Sequence, residues 1–191
     1  IAAERKAKTG PLDIGRGVER YARAEQDIDR MRQKGLSPMP HQEAALDKAR
    51  AALSATKPKA GRDLATAFSR QPELIAEAAS GHTANAVRAM QLEAEIRTNP
   101  TMRADRFVEN WQRLHRQRDQ AFQSGNYSRA ESATASMGAM AKGLERDPQV
   151  DSLLRNRKIE LGLHTRGSGG IGRELTEYLG LGRGRGIGIG M

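Results

Sequence analysis

Residues 99–125, NPTMRADRFVENWQRLHRQRDQAFQSG, are the most legible stretch of this 191-residue chain. Asn99-Pro100-Thr101 marks a helix start, and Ala104, Phe107, Trp111, Leu114 and Ala121 follow at helical steps. Val108 and Phe122 widen that stripe, and Gly125 ends it, because glycine takes the left-handed conformation past a helix terminus at little cost. A stripe this wide faces a core rather than water. Phe107, Trp111 and Leu114 are therefore predicted core anchors. Phe107 and Trp111 offer two flat rings that could stack bases, as in single-strand binders, but their placement with Leu114 reads as a core seam.

Working outward in the C-terminal direction, Ser128-Arg129-Ala130-Glu131 matches a capping box. It predicts a helix to about Arg146 with Tyr127, Ala130, Thr134, Met137, Ala141 and Leu144 inward. These are mostly small residues, which let neighbouring helices approach closely. Asp147-Pro148 reads as an N-cap with proline at the first helical position. It opens a last helix with Val150, Leu153, Leu154 and Leu161 inward.

In the N-terminal direction, Ile14, Val18, Tyr21, Ala24, Ile28 and Met31 form one stripe of a helix over Asp13 to Lys34, stopped by Gly35. Ser37-Pro38-Met39-Pro40 is a turn, and His41 to Ser54 resumes a weaker stripe. Pro58, Gly61, Pro72 and Ser80-Gly81 then interrupt short pieces carrying Leu64, Phe68 and Ile75 before Ala84 to Arg97. Ala, Leu, Met, Glu, Gln and Arg abound while β-branched and aromatic residues are scarce, so helix is favoured almost everywhere and strands are not expected. The predicted fold class is all-α, an antiparallel helical bundle. Its parts are a linker over 1–12 from a missing upstream portion, a bundle over 13–161 and a flexible tail over 162–191. Of the 20 glycines, 11 lie in that tail, where only Ile171 to Leu181 has helical potential, through Leu175, Tyr178 and Leu179.

The chain is 37% apolar with a mean hydropathy of -0.70 and only seven aromatic residues, so the core is thin. The absence of cysteine removes disulfides, thiol chemistry and cysteine-ligated metal. No apolar run approaches the roughly 20 residues of a membrane helix, so no membrane insertion is expected. The chain opens at Ile1, which reads as a piece of a longer polypeptide. Net charge is +9, concentrated in residues 1–62 and 102–161 with a slightly acidic middle. This fits nucleic acid, acidic proteins or anionic surfaces equally. Arg103, Arg106, Arg113, Arg116 and Arg118, interleaved with Asp105, Glu109 and Asp119, read as a solvated helix face.

His41, His82, His115 and His164 lack the spacing that puts two ligands on one helical face, so surface or cap roles are expected, with no metal or cofactor. No phosphate loop ends in Gly-Lys-Ser or Gly-Lys-Thr. The serine in Gly167-Ser168-Gly169-Gly170 has no strand-turn-helix context that would make it a nucleophile. Tyr21 and Tyr127 fall on apolar stripes. No catalytic residue is assigned, and the chain is not expected to be an enzyme.

The run Glu95-Ile96-Arg97-Thr98-Asn99-Pro100-Thr101-Met102-Arg103-Ala104-Asp105-Arg106-Phe107-Val108-Glu109-Asn110-Trp111-Gln112-Arg113-Leu114 resembles the C-terminal region of Ti-plasmid-type conjugative relaxases. So do Met140-Ala141-Lys142-Gly143-Leu144-Glu145-Arg146-Asp147-Pro148-Gln149 and Leu181-Gly182-Arg183-Gly184-Arg185-Gly186. That region is similar to the BID domain, the delivery module of type IV secretion substrates in alpha-proteobacteria. The resemblance implies an elongated four-helix bundle with a smaller helical hook and a basic tail, together a bipartite secretion signal. It further implies recognition by the coupling-protein ATPase and passage from the donor bacterial cytoplasm into a recipient cell. The relaxase's catalytic parts would lie upstream. Tail arginines Arg166, Arg173, Arg183 and Arg185 are the expected signal residues, since guanidinium groups spaced by glycine offer bidentate donors without a fixed fold to unravel. The competing readings are an accessory domain that holds DNA through its basic faces and a helical oligomerisation domain, a monomer being expected.

Overall fold

The structure is a computed structural model that describes residues 11–164 and 169–181. The described residues are all-α, with nine helices and no strand. The chain divides into two compact units between Thr98 and Asn99.

The first unit holds α1 (Pro11–Gln33), α2 (Pro40–Thr56), α3 (Ala60–Arg70), α4 (Glu73–Ala79) and α5 (Ala84–Thr98). The predicted stripe of α1 is buried at Val18, Tyr21 and Ile28 and meets Leu46 and Leu53 of α2, Leu64 and Phe68 of α3, Ile75 of α4 and Met90 of α5. Gly35 ends the first helix as expected, at φ 70, with Leu36 N–H donating to the Met31 carbonyl at 3.0 Å. That bond satisfies a carbonyl the helix leaves open. The α2 and α3 helices come together because Gly61 has no side chain. A Cβ there would sit 2.7 Å from the Arg50 side chain and 2.8 Å from its carbonyl oxygen. The α3 and α5 helices are tied by a bidentate pair in which Arg97 Nε and Nη2 donate to the two Asp63 oxygens at 3.0 Å each. Asp63 is buried, so this pair supplies the partners its carboxylate loses on leaving water.

The second unit holds α6 (Pro100–Gln123), α7 (Tyr127–Leu144), α8 (Pro148–Leu154), two 3₁₀ turns at Arg155–Arg157 and Ile159–Leu161, and α9 (Ile171–Tyr178). Trp111 is 1% exposed and lies among Ala104, Val108, Leu114, Met137, Ala141, Leu154 and Leu161. Phe107 packs against this core from its edge, 6.1 Å from the Trp111 ring. Asp147 caps α8 as read, its Oδ1 accepting from Val150 N–H at 3.3 Å.

Four local expectations are corrected. The cap of α7 is Asn126, whose side chain accepts from Arg129 N–H at 3.1 Å, so Ser128 lies inside the helix and forms no capping box. A side-chain oxygen directly after the Gly125 turn meets the open amides before Ser128 can. Tyr127 and Phe122 point outward, 66% and 51% exposed, and meet each other edge to face at 6.2 Å. Both sit at the tip of the helical hairpin, where the α6 stripe is closed by Ala121. Leu153 is also exposed, because the last helix stops at Leu154 and the tightened turns beyond it redirect the chain so that Leu161 is buried without continuing the helix. Tyr178, counted on the inward stripe of the C-terminal segment, is 42% exposed.

The apolar core runs on past Leu161, the residue at which the sequence reading ends the bundle. Leu163, Ile171 and Leu175 are buried in it. The α9 helix reaches α7 through Gly172, where a Cβ would lie 2.7 Å from the Ala141 carbonyl oxygen.

Candidate functional site

Two of the three runs that carry the family resemblance, those holding Arg103 and Asp147, touch inside the second unit. Arg103 of the first donates from Nε to Asp147 Oδ2 of the second at 3.0 Å, and from Nη2 to Oδ1 at 3.3 Å. Asp147 therefore serves two ends at once, capping α8 and fixing α6 against the α7–α8 turn. Trp111, from the first run, donates its indole N–H to the Leu161 carbonyl at 3.1 Å across 50 residues of sequence. Neither contact has a local sequence signal, since each joins segments far apart in the chain.

Next to Trp111, Gln112 Nε2 donates to the Glu160 carbonyl at 3.2 Å. Two successive side chains of α6 thus hold two successive carbonyls of the 159–161 turn. The turn and helix enclose an open groove of about 270 Å³ lined by Trp111, Gln112, His115, Arg116, Ile159 and Leu161, with Glu160 and Gly162 completing it. Ile159 stands at its edge, 81% exposed. That volume holds about nine waters, or one to two side chains, and falls below the range of drug-sized ligand sites.

The charges around the groove are mostly cancelled. Arg157 binds both Glu160 oxygens at 2.9 Å and also pairs with Asp105. This contact holds the Glu160 carboxyl below its ordinary range. His115 Nδ1 faces Asp119 at 2.9 Å, and its Nε2 faces the Tyr178 hydroxyl at 2.9 Å and Arg118 Nη2 at 3.1 Å. An arginine can only donate, so Nε2 is the acceptor in the Arg118 contact. Arg116, exposed at the groove, has no acidic partner among the described residues.

His115 also fixes the end of α9, through its stacked contact with Tyr178. The start of α9 is held by Gly172 N–H donating to Asp151 Oδ1 at 3.0 Å, and its middle by Lys158 Nζ at 2.8 Å from both Glu174 oxygens. Arg173, the one expected signal residue among the described residues, projects outward with its side chain 71% exposed, 3.4 Å from Glu177. Arg166, Arg183 and Arg185 lie outside the described residues.

In the first unit a cleft of about 400 Å³ is lined by Tyr21, Glu25, Asp29, Arg32, Arg50 and Phe68, among others. Burial pushes the Glu25 carboxyl above its ordinary range, with Asp29 adding to it and Arg32 and Arg50 opposing. Burial likewise raises the Tyr21 hydroxyl, against a hydrogen bond from Arg50 at 3.4 Å.

Among the described residues no three or more His, Asp or Glu side chains gather as a metal site requires, and no helix is long and apolar enough to cross a membrane. No protein-family model, curated protein or solved structure matches the chain.

Proposed function

We propose that this chain is a type IV secretion delivery module, a BID-like four-helix bundle with a hook that directs a parent conjugative relaxase to the coupling-protein ATPase. In this reading the parent passes from the donor cytoplasm through the secretion channel into the recipient. The chain itself is a monomer that performs no catalysis. The Gly/Arg-rich stretch with Arg166, Arg173, Arg183 and Arg185 supplies the second half of the signal.

The observation that carries the reading is the Arg103–Asp147 pair. The separate runs that resemble the relaxase C-terminus are joined by bidentate hydrogen bonds, and the same carboxylate caps α8. Two stretches named for the resemblance are thus in direct contact within one unit, as parts of a single module would be. Exposure of Arg173 adds support, since a guanidinium that a partner captures must reach solvent.

Arg113 and Arg116, exposed on α6, favour a second reading, an accessory domain that holds transferred DNA. Binding of the full chain to the soluble part of a coupling ATPase and to generic duplex DNA separates the two. Contacts with several phosphates weaken by orders of magnitude between low and physiological salt. The delivery reading expects ATPase binding that persists at physiological salt. DNA binding with a steep salt slope and no ATPase binding would replace it with the second.

A further inference from the structure

We infer that the groove between α6 and the Ile159–Leu161 turn docks an acidic peptide segment bearing an apolar side chain. The inference stands whether or not the chain is exported, because it rests on the groove alone.

Single exposed apolar residues are ordinary on protein surfaces and mark nothing by themselves. Ile159 differs in its surroundings. It stands 81% exposed at the edge of an open groove whose other wall is Gln112, His115 and Arg116 of α6, so a guest side chain would meet the turn and the helix together. The wall is also rigid. The hydrogen bonds from Trp111 Nε1 and Gln112 Nε2 hold the turn in place, which lowers the ordering a guest must impose.

Charge then chooses the guest. Arg157 is shared between Glu160 and Asp105, which leaves that trio one negative charge, and Lys158 pairs with Glu174. His115 and Arg118 both lie against the Asp119 carboxylate, at 2.9 and 3.2 Å. Among the described residues no carboxylate pairs with the Arg116 guanidinium at the rim, and one turn earlier Arg113 donates to the neutral Gln117 at 3.4 Å. With Arg113 and Arg116 set against the one negative charge of the Arg157 trio, the rim carries a net positive charge beside a groove the size of one or two side chains with Ile159 at its edge. A segment with carboxylates flanking a leucine or similar residue complements both features. A cofactor exceeds the volume, and a nucleic-acid backbone would leave Ile159 unused.

The probe is a short fluorescein-labelled peptide of glutamates around one central leucine, titrated with the full chain and followed by anisotropy. A serine-centred peptide is the control. Saturable binding is expected, weakened about tenfold by the serine centre and about tenfold by Ile159→Ser, the loss that follows from uncovering one apolar side chain. Arg116→Glu is expected to weaken it by a similar factor and to flatten its salt dependence. Both positions are exposed, so the variants keep the helical content of the parent by circular dichroism. Equal binding of the two peptides, or binding unmoved by both variants, overturns the inference. So does binding of generic duplex DNA that Arg116→Glu removes and Ile159→Ser leaves intact.

Discussion

Replacing Asp147 tests whether the α6 run with Arg103 is held to the α7–α8 turn as described. Asp147→Ala removes an N-cap, which costs about 1 kcal/mol. It also removes a two-point hydrogen-bonded ion pair whose side chains are only 27% and 33% exposed. Solvent reaches both groups, so the pair is worth about 1 kcal/mol rather than the several of a buried one. The sum is about 2 kcal/mol, which for a unit of this size lowers Tm by about 10 °C. Asp147→Asn keeps an oxygen for Val150 N–H and loses only the charge, so it is expected to cost about half as much. The assay is urea unfolding followed by tryptophan fluorescence. Trp111 is the only tryptophan in the chain and lies in the core of this unit, so the signal reports its unfolding alone. A double-mutant cycle with Arg103→Ala isolates the pair and should give a coupling of about 1 kcal/mol. Additive effects of the two substitutions, or an Asp147→Ala variant as stable as the parent, would refute the reasoning.

Other outcomes follow from the same packing. Trp111→Phe leaves the buried Leu161 carbonyl without its donor and should destabilise the second unit by about 2 kcal/mol, read by circular dichroism during urea unfolding. Gly172→Ala drives a methyl into the Ala141 carbonyl and should loosen α9, seen as faster limited proteolysis within residues 171–178 while α6 and α7 stay protected. Glu25 has a folded pKa above its unfolded one, so its contribution to stability is fully present below the unfolded value and is lost as pH rises through the folded value. Glu25→Gln should therefore raise the urea midpoint of the first unit at neutral pH, with the gain shrinking to nothing in acid. A gain that persists unchanged at low pH would point away from Glu25 ionisation.

Much of the helix content is legible because it is written locally. The stripe Val18, Tyr21 and Ile28, the Gly35 stop, the Asp147-Pro148 start and the Trp111 seam each depend on residues within a turn or two of one another. The competition at Asn126 and Ser128 is local too, yet it turns on which oxygen first meets the open amides, and that is fixed by the Gly125 turn preceding it. Periodicity does not say which stripes meet. The Arg103–Asp147 pair spans 44 residues and the His115–Tyr178 contact 63, and nothing local marks either. Glycine content made the C-terminal stretch read as a tail. Ile171 and Leu175 are spaced one turn apart, and with Gly172 allowing close approach they bring α9 onto the core. The candidate groove was invisible for the same reason. Arg116 reads as a solvated helix face until the 159–161 turn places Ile159 beside it.

The proposed delivery of a parent protein through a type IV secretion channel can be scored directly. The direct measurement fuses residues 1–191 to the C-terminus of a reporter recombinase in a donor bacterium and scores recombination in recipients. A parallel fusion carries Arg166→Ala, Arg173→Ala, Arg183→Ala and Arg185→Ala together. The account predicts transfer by the parent fusion and a marked loss with the four substitutions. No transfer from a folded fusion through a channel that exports its own substrates would contradict it.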